Sequence, residues 1–308
     1  MKAISVSKLK KTFNGVVAVD GISFDVEEGE IFGFLGPNGA GKTTTVRILT
    51  CQLKATGGKA SIFGYDINKD CNEIRRLIGI LPQETSLNEL LTAQQNILFY
   101  GILYDLPKKV IKRRSEELLS IMGLEHRKND LVKNFSGGMK QRLSLVLAML
   151  HEPKLLFLDE PTTGLDPQAR RHIWKFIKEI NSQGTTIFLT THYMEEADTL
   201  CNRVAIIDSG KIITIGSPAE LKSRMEKEKI LEVEVDCDEN TINDLKNVPG
   251  VKQVSYANGL LKIIVEDRKG LLLDIVKNLS DKNIKSISTA EPTLEDVFIS
   301  LTGKRLRD

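Results

Sequence analysis

No run in this 308-residue sequence approaches the roughly 20 consecutive apolar residues that cross a bilayer. Even Leu143 to Leu150 is short and is flanked by Arg142 and His151, so the chain is not expected to span a membrane. The first residues, Met1-Lys2-Ala3-Ile4-Ser5, lack the apolar core of a secretory signal, and export of the chain is not expected either. Its four cysteines, Cys51, Cys71, Cys201 and Cys237, show neither C-x-x-C spacing nor a metal-ligand pattern. They read as isolated thiols of a reducing cytosol. Net charge is only +2, from 43 basic and 41 acidic residues, so no bulk field draws the chain to nucleic acid. A hydrophobic share of 41% and a charged share of 27% are ordinary for a globular protein, and the length calls for two domains.

Against this ordinary background, Gly36-Pro37-Asn38-Gly39-Ala40-Gly41-Lys42-Thr43 fits the phosphate-binding pattern G-x-x-x-x-G-K-[ST]. The apolar Ile31-Phe32-Gly33-Phe34-Leu35 before it reads as a strand, and Thr44 to Leu53 after it reads as a helix. Successive backbone N–H groups of such a loop close around a polyphosphate, and the helix N-terminus adds its own positive end. Lys42 supplies charge to the β and γ groups, and Thr43 is placed to offer its hydroxyl to a magnesium ion. Thr44 completes the loop's contact with the nucleotide.

A second apolar run, Leu155-Leu156-Phe157-Leu158, ends in Asp159-Glu160, the pattern of a buried parallel strand delivering carboxylates at its C-terminal edge. Asp159 is placed to hold the magnesium, and Glu160 to accept a proton from an attacking water.

Between these two runs lies Asn134-Phe135-Ser136-Gly137-Gly138-Met139-Lys140-Gln141-Arg142, which resembles the signature motif of ATP-binding cassette (ABC) ATPases. The resemblance covers about residues 1 to 220, with the motifs in the family's order. It implies a P-loop NTPase fold of class α/β: a RecA-like core, an antiparallel β-subdomain and a helical subdomain, about residues 85–150, within an ATP-binding domain at 1–225. Gln83 is similar to the family's Q-loop glutamine, which senses metal and water. Gly164-Leu165-Asp166-Pro167 resembles the D-loop, bringing Asp166 to the nucleotide, and His192 resembles the switch histidine that contacts the γ-phosphate. Ser136, Gly137 and Gly138 would complete the ATP pocket of a second cassette, identical or not, so that hydrolysis takes two chains head to tail. The adenine-stacking position falls on Phe13, whose ring provides a stacking face or, alternatively, a core residue of a sheet. Phe135 and Met139 depart from the commoner Leu and Gln of the signature and leave its phosphate contacts intact.

Residues 1 to 30 alternate apolar and polar positions, as an antiparallel sheet requires, and turn glycines Gly57-Gly58 precede a strand at Ala60 to Phe63. The basic run Lys108-Lys109, Lys112-Arg113-Arg114 reads as a solvated helix face, with phospholipid contact as the other reading. Past a charged linker at Lys222 to Lys229, residues 230–308 restart as strand Ile230–Val235, helix Glu239–Asn247, strands Val251–Tyr256 and Leu260–Val265 around Asn258-Gly259, helix Gly270–Leu279 and strand Ile284–Ile287. This βαββαβ order predicts a small α+β ferredoxin-like accessory domain. It carries no catalytic constellation, and a regulatory or dimer-stabilising role is its expected one. Its ending, Glu291-Pro292-Thr293-Leu294-Glu295-Asp296-Val297-Phe298, and Thr191-His192-Tyr193-Met194-Glu195-Glu196-Ala197-Asp198 both resemble drug- and antibiotic-export ATPases of the ABC-2 type. That resemblance implies ATP and Mg2+ as ligands, a separate ABC-2 type transmembrane permease subunit as partner, and a peripheral place on the cytoplasmic face of the membrane, with no nucleic acid. An importer ATPase and an ABC ATPase acting on ribosomes or nucleic acid are the other readings. The two-cassette chains, coiled coils and zinc-binding cysteines that mark the latter are missing.

Overall fold

The computed structural model describes residues 1–84, 86–225, 228–257, 259–266, 270–279 and 282–303. The chain divides into two compact units, Met1–Ser217 and Pro218–Asp308.

In the first unit, β1 (Lys2–Phe13) and β2 (Val16–Glu27) pair antiparallel and bury alternate apolar residues. β3 (Ile31–Leu35), buried at every position, passes through the glycine-rich turn into α1 (Lys42–Leu49). β4 (Gly57–Ile62) and β5 (Tyr65–Asp66) complete a four-stranded sheet of order β2-β1-β4-β5. Gly57-Gly58 is therefore not a turn but the start of a strand. Gly58 has φ 82°, and a Cβ there would lie 2.2 Å from the Lys8 carbonyl, so glycine is what lets β4 close on β1.

α2 (Cys71–Leu77) and β6 (Ile78–Leu81) lead to a helical layer of α3 (Ala93–Leu103), α4 (Lys108–Ile121) and α5 (Gly137–Met149). α3 starts at a capping box between Thr92 and Gln95 and leaves Leu98, Phe99, Ile102 and Leu103 exposed. On α4 the basic run is not uniformly solvated. Arg114 is buried, donating to Glu117 Oε2 at 2.9 Å and to the Met149 carbonyl at 3.1 Å, because its position on the helix faces α5 rather than water.

The chain then returns through β7 (Leu155–Asp159), α6 (Pro167–Ser182), β8 (Thr186–Thr191), α7 (Met194–Leu200), β9 (Arg203–Asp208) and β10 (Lys211–Gly216). The second sheet has the order β10-β9-β3-β8-β7-β6, parallel except for the β9–β10 hairpin. Phe24 of the first sheet meets Phe32, Phe34 and Phe188 of the second at centroid distances of 5.5 to 5.9 Å, joining the two layers in one core. All four cysteines are free thiols, as expected, but Cys51 and Cys71 are neighbours. Their side chains interact, and burial together with the Cys71 thiol pushes Cys51 up to about 12.

In the second unit, α8 (Pro218–Ser223) precedes β11 (Glu228–Glu234), so part of the expected linker is a helix with Leu221 fully buried. α9 (Glu239–Lys246), β12 (Val251–Ala257), β13 (Leu260–Glu266), α10 (Leu271–Asn278) and β14 (Ser286–Ala290) follow. The strand order β12-β13-β11-β14, antiparallel throughout, is the ferredoxin-like arrangement. Asn258 of the expected hairpin lies outside the described residues. Leu245, Leu271 and Ile275 of α9 and α10 pack on Leu231, Val233, Leu261 and Ile263. α11 (Leu294–Thr302), a helix that the strand-by-strand reading leaves without an element, packs with α8 and is tied to β13 by Lys262 Nζ–Asp296 Oδ1 at 2.8 Å. No helix among the described residues is long and apolar enough to cross a membrane.

Candidate functional site

The sheet order decides which motifs meet. β3, β8 and β7 lie side by side and parallel, so the segments leaving their C-terminal ends share one edge. That edge is where open α/β sheets bind ligands. It carries Gly36 to Thr43 after β3, His192 after β8, and Asp159 and Glu160 at the end of β7. A cavity of about 240 Å³ there is lined by Asn38, Gly39, Gly41, Lys42, Thr43, Thr44, Gln83 and Glu160, with Ala18 of β2.

Gly41 caps α1 at φ 101°, and a Cβ would lie 2.4 Å from the Ala18 carbonyl; only glycine brings the loop this close to β2. Lys42 is buried. Its Nζ donates to the Gly36 carbonyl at 2.8 Å and the Pro37 carbonyl at 3.1 Å, and stands 3.0 Å from Glu160 Oε1. Glu160 Oε2 lies 3.2 Å from His192 Nδ1 and accepts from the Thr163 hydroxyl at 3.2 Å. Burial alone would raise the Glu160 carboxyl, but His192 and Lys42 outweigh it and hold Glu160 down at about 2. The residue adopts φ 52°, a left-handed backbone that side-chain-bearing residues rarely take. Its N–H is held by the carbonyl and hydroxyl of Thr190, both at 3.1 Å. Such strain persists where the surroundings over-determine it, a pattern of functional sites.

Asp159 is buried beside Thr43 and Thr190, whose hydroxyls hydrogen-bond it; burial pushes its carboxyl above the usual range, and those two hydrogen bonds oppose the rise. Thr43 and Gln83 line the cavity and Asp159 adjoins Thr43, and all three carry hard oxygen donors. Among the described residues no three His, Cys, Asp or Glu side chains form a metal cage. A sparse oxygen set fits magnesium, which binds one or two carboxylates and takes its other ligands from water and phosphate.

The remaining sequence-derived residues stand apart from this cavity's lining. Ser136 and Gly137 are exposed at the start of α5, where the Ser136 hydroxyl accepts from Met139 N at 3.3 Å. Asp166 is exposed and caps α6, accepting from Gln168 N and Ala169 N at 2.9 Å. Phe13 is 42% exposed at the end of β1 with Lys11 Nζ 4.8 Å from its ring centre, so it is a surface ring and not a core residue. Thr190 and Thr163, which orient the two carboxylates, escape sequence reasoning. The only trace is a pair of hydroxyls, Thr190 and Thr191, after the apolar Ile187-Phe188-Leu189.

The family model described as "ABC transporter" matches residues 19–163, and that described as "ATP-binding protein DrrA1-3-like, C-terminal domain" matches 216–302. The linearmycin resistance ATP-binding protein LnrL of Bacillus subtilis is 37% identical, over 99% of this chain and 100% of its own length. The daunorubicin/doxorubicin resistance ATP-binding protein DrrA of Streptomyces peucetius is 36% identical over 98% of this chain and 93% of its own. A Nod factor export ATP-binding protein I of Ralstonia nicotianae is 36% identical over 99% and 95%. Among solved structures, an ATP-binding subunit of an ABC transporter superposes with TM-score 0.67 at 29% identity, over 73% of this chain and 93% of that one. A dimeric ATP-binding cassette in a post-hydrolysis state bound to ADP and Pi gives 0.65 at 27%, over 70% and 98%. The chain belongs to the ABC transporter family, as an ATP-hydrolysing ATP-binding subunit of the exporter type.

Proposed function

We propose that this chain drives an ABC-2 type permease by closing and reopening on a second cassette as ATP binds and is hydrolysed. Met1–Ser217 acts as the ATP-binding domain and the unit from Pro218 on, which takes in α8 and so begins earlier than the expected boundary near residue 225, as the accessory domain. The observation that carries the reading is the Glu160 carboxylate, held between Lys42 and His192 at the mouth of the phosphate loop.

Lys42 donates to two loop carbonyls and pairs with Glu160. The β- and γ-phosphates of ATP are the stronger partner, and the loop N–H groups of Gly39 to Thr44 surround them. Once Lys42 turns to phosphate, Glu160 loses the cation 3.0 Å from its carboxylate and becomes a better base. It then accepts the proton of a water in line with the γ-phosphate, while His192 contacts the γ-phosphate oxygens and Gln83 orients that water. A magnesium ion at Thr43 and Asp159, sensed by Gln83, would neutralise charge shared by the phosphates. Phe13 stacks on adenine. Ser136, Gly137 and Gly138 open α5 with a hydroxyl and backbone donors at a positive helix end, which suits them to the γ-phosphate of the partner cassette's ATP, beside the partner's Asp166 loop.

The exposed Leu98, Phe99, Ile102 and Leu103 of α3 supply an apolar face for the permease. A cavity beside it, lined in part by Pro82, Tyr100, Tyr104 and Leu147, adjoins the Gln83 segment, which offers contact there a short route to the ATP site. The chain would work at the cytoplasmic face of the membrane, held by that permease. Glu160→Gln tests the reading: turnover should vanish while ATP binding persists and an ATP-bound dimer accumulates, and near-normal turnover would sink it.

A further inference from the structure

Behind the Glu160–His192 pair lies another carboxylate, to which the hydrolysis scheme gives no part. Glu196, on α7, is fully buried. Its Oε1 accepts from the Thr162 hydroxyl at 2.8 Å and from the Trp174 indole N–H at 2.9 Å. Thr191 and the Arg170 guanidinium complete its polar surroundings, while Oε2 makes no hydrogen bond of ordinary geometry. A buried, incompletely satisfied carboxylate is costly, and an apolar side chain of the same size would fill the space without that cost. Retaining it calls for a reason.

The partners supply one, because each belongs to a segment that carries a proposed site residue. Thr162 is two residues beyond Glu160, in the turn that must hold the left-handed Glu160 backbone. The carbonyl of Pro161 in that same turn accepts from Gln141 Nε2 of the signature helix α5 at 2.9 Å. Trp174 lies on α6, which Asp166 caps. Thr191 immediately precedes His192 and anchors that loop by accepting from Tyr193 N at 2.9 Å. We infer that Glu196 is a positioning residue for ATP hydrolysis: one carboxylate clamps the turn after β7, the helix after the Asp166 loop and the His192 loop in a common register. Its side chain is fully buried and does not line the phosphate-loop cavity. It keeps Glu160 and His192 within reach of the same water and fixes where the Asp166 loop leaves the body of the chain. The inference rests on the roles given above to Glu160 and His192.

The test compares ATPase kinetics of the full chain for Glu196→Ala, Glu196→Gln and Thr162→Val, with the adjacent Glu195→Gln as control. Binding of a fluorescent ATP analogue and thermal melting are measured on the same samples. Displacing a catalytic group by about 1 Å costs up to roughly 100-fold, so Glu196→Ala should lower kcat about 10- to 100-fold while analogue affinity stays within about twofold. Glu196→Gln keeps an oxygen that accepts from Thr162 and Trp174 and should restore most of kcat. Thr162→Val removes one link without opening a cavity and should also lower kcat, and the double variant should be no slower than Glu196→Ala. Glu195→Gln should match the wild type. An unchanged kcat in Thr162→Val, or losses in kcat that track lost folded protein, would overturn the assignment, and Thr162→Val decides the matter even if Glu196→Ala fails to fold. Were Glu160→Gln found active, the role of Glu160 would fail instead, which the Glu196 series alone does not test.

Discussion

Replacing Glu160 by Gln should tighten ATP binding as well as stop turnover, because Glu160 competes with phosphate for Lys42. The two charges lie 3.0 Å apart and both side chains are about 5% exposed or less. At an effective dielectric of about 20, such a pair attracts by roughly 5–6 kcal/mol before desolvation is counted. Desolvation of the two ions cancels much of that. ATP returns to Lys42 an anion at least as strong, but it also leaves the Glu160 carboxylate beside the γ-phosphate. Relief of that competition and repulsion is worth about 1–2 kcal/mol net, a gain of about 5- to 30-fold in affinity. The assay is a titration with a fluorescent ATP analogue in chelator, where neither protein hydrolyses. Added salt should leave the ratio of the two Kd values nearly unchanged, since a buried pair is poorly screened. A Kd in Glu160→Gln equal to or weaker than the wild-type value would refute the reasoning.

Acid stability gives a second readout of the same carboxylate. Its folded pKa of about 2 lies below the ordinary 4.5, so its stabilising contribution is complete above about pH 4.5 and is lost as pH falls through about 2. The difference in unfolding free energy between wild type and Glu160→Gln, followed by urea titration, should therefore shrink between pH 5 and pH 2. In the second unit, Asp296 is buried, paired with Lys262 at 2.8 Å and hydrogen-bonded by the Thr293 N–H at 2.8 Å. Asp296→Ala should cost that unit about 3–5 kcal/mol by chemical denaturation while the first unit keeps its ATP affinity. On α3, Phe99→Glu with Ile102→Glu should abolish co-purification with the membrane subunit and leave ATPase activity of the isolated chain within about twofold, since both side chains are exposed.

What the sequence made legible is local. Gly36 to Thr43, Asp159-Glu160 and the βαββαβ order each depend on residues a few positions apart, where strand, turn and helix signals act directly. What it hid depends on sheet order. Thr190 reaches Asp159 and the Glu160 N–H because β7 and β8 are neighbours, and no spacing of 30 residues announces that. Cys51 with Cys71 and Arg114 with Met149 likewise meet only through tertiary packing, here of helices and their ends. Gly58 looked like a turn because glycine marks both turns and close backbone approach, and only the Lys8 carbonyl at 2.2 Å from its virtual Cβ tells the two apart. The left-handed Glu160 could not be read at all, since glutamate carries no preference for that conformation.

The central claim is that each ATP is shared between Lys42 and Glu160 of one chain and Ser136-Gly137-Gly138 of another. Its most direct measurement is sedimentation of Glu160→Gln with ATP and magnesium, repeated with Ser136→Arg added. The account predicts an ATP-dependent dimer for Glu160→Gln and monomers for the double variant, with the ATP affinity of the monomer unchanged. Dimers that form without ATP, or that survive Ser136→Arg, would contradict it.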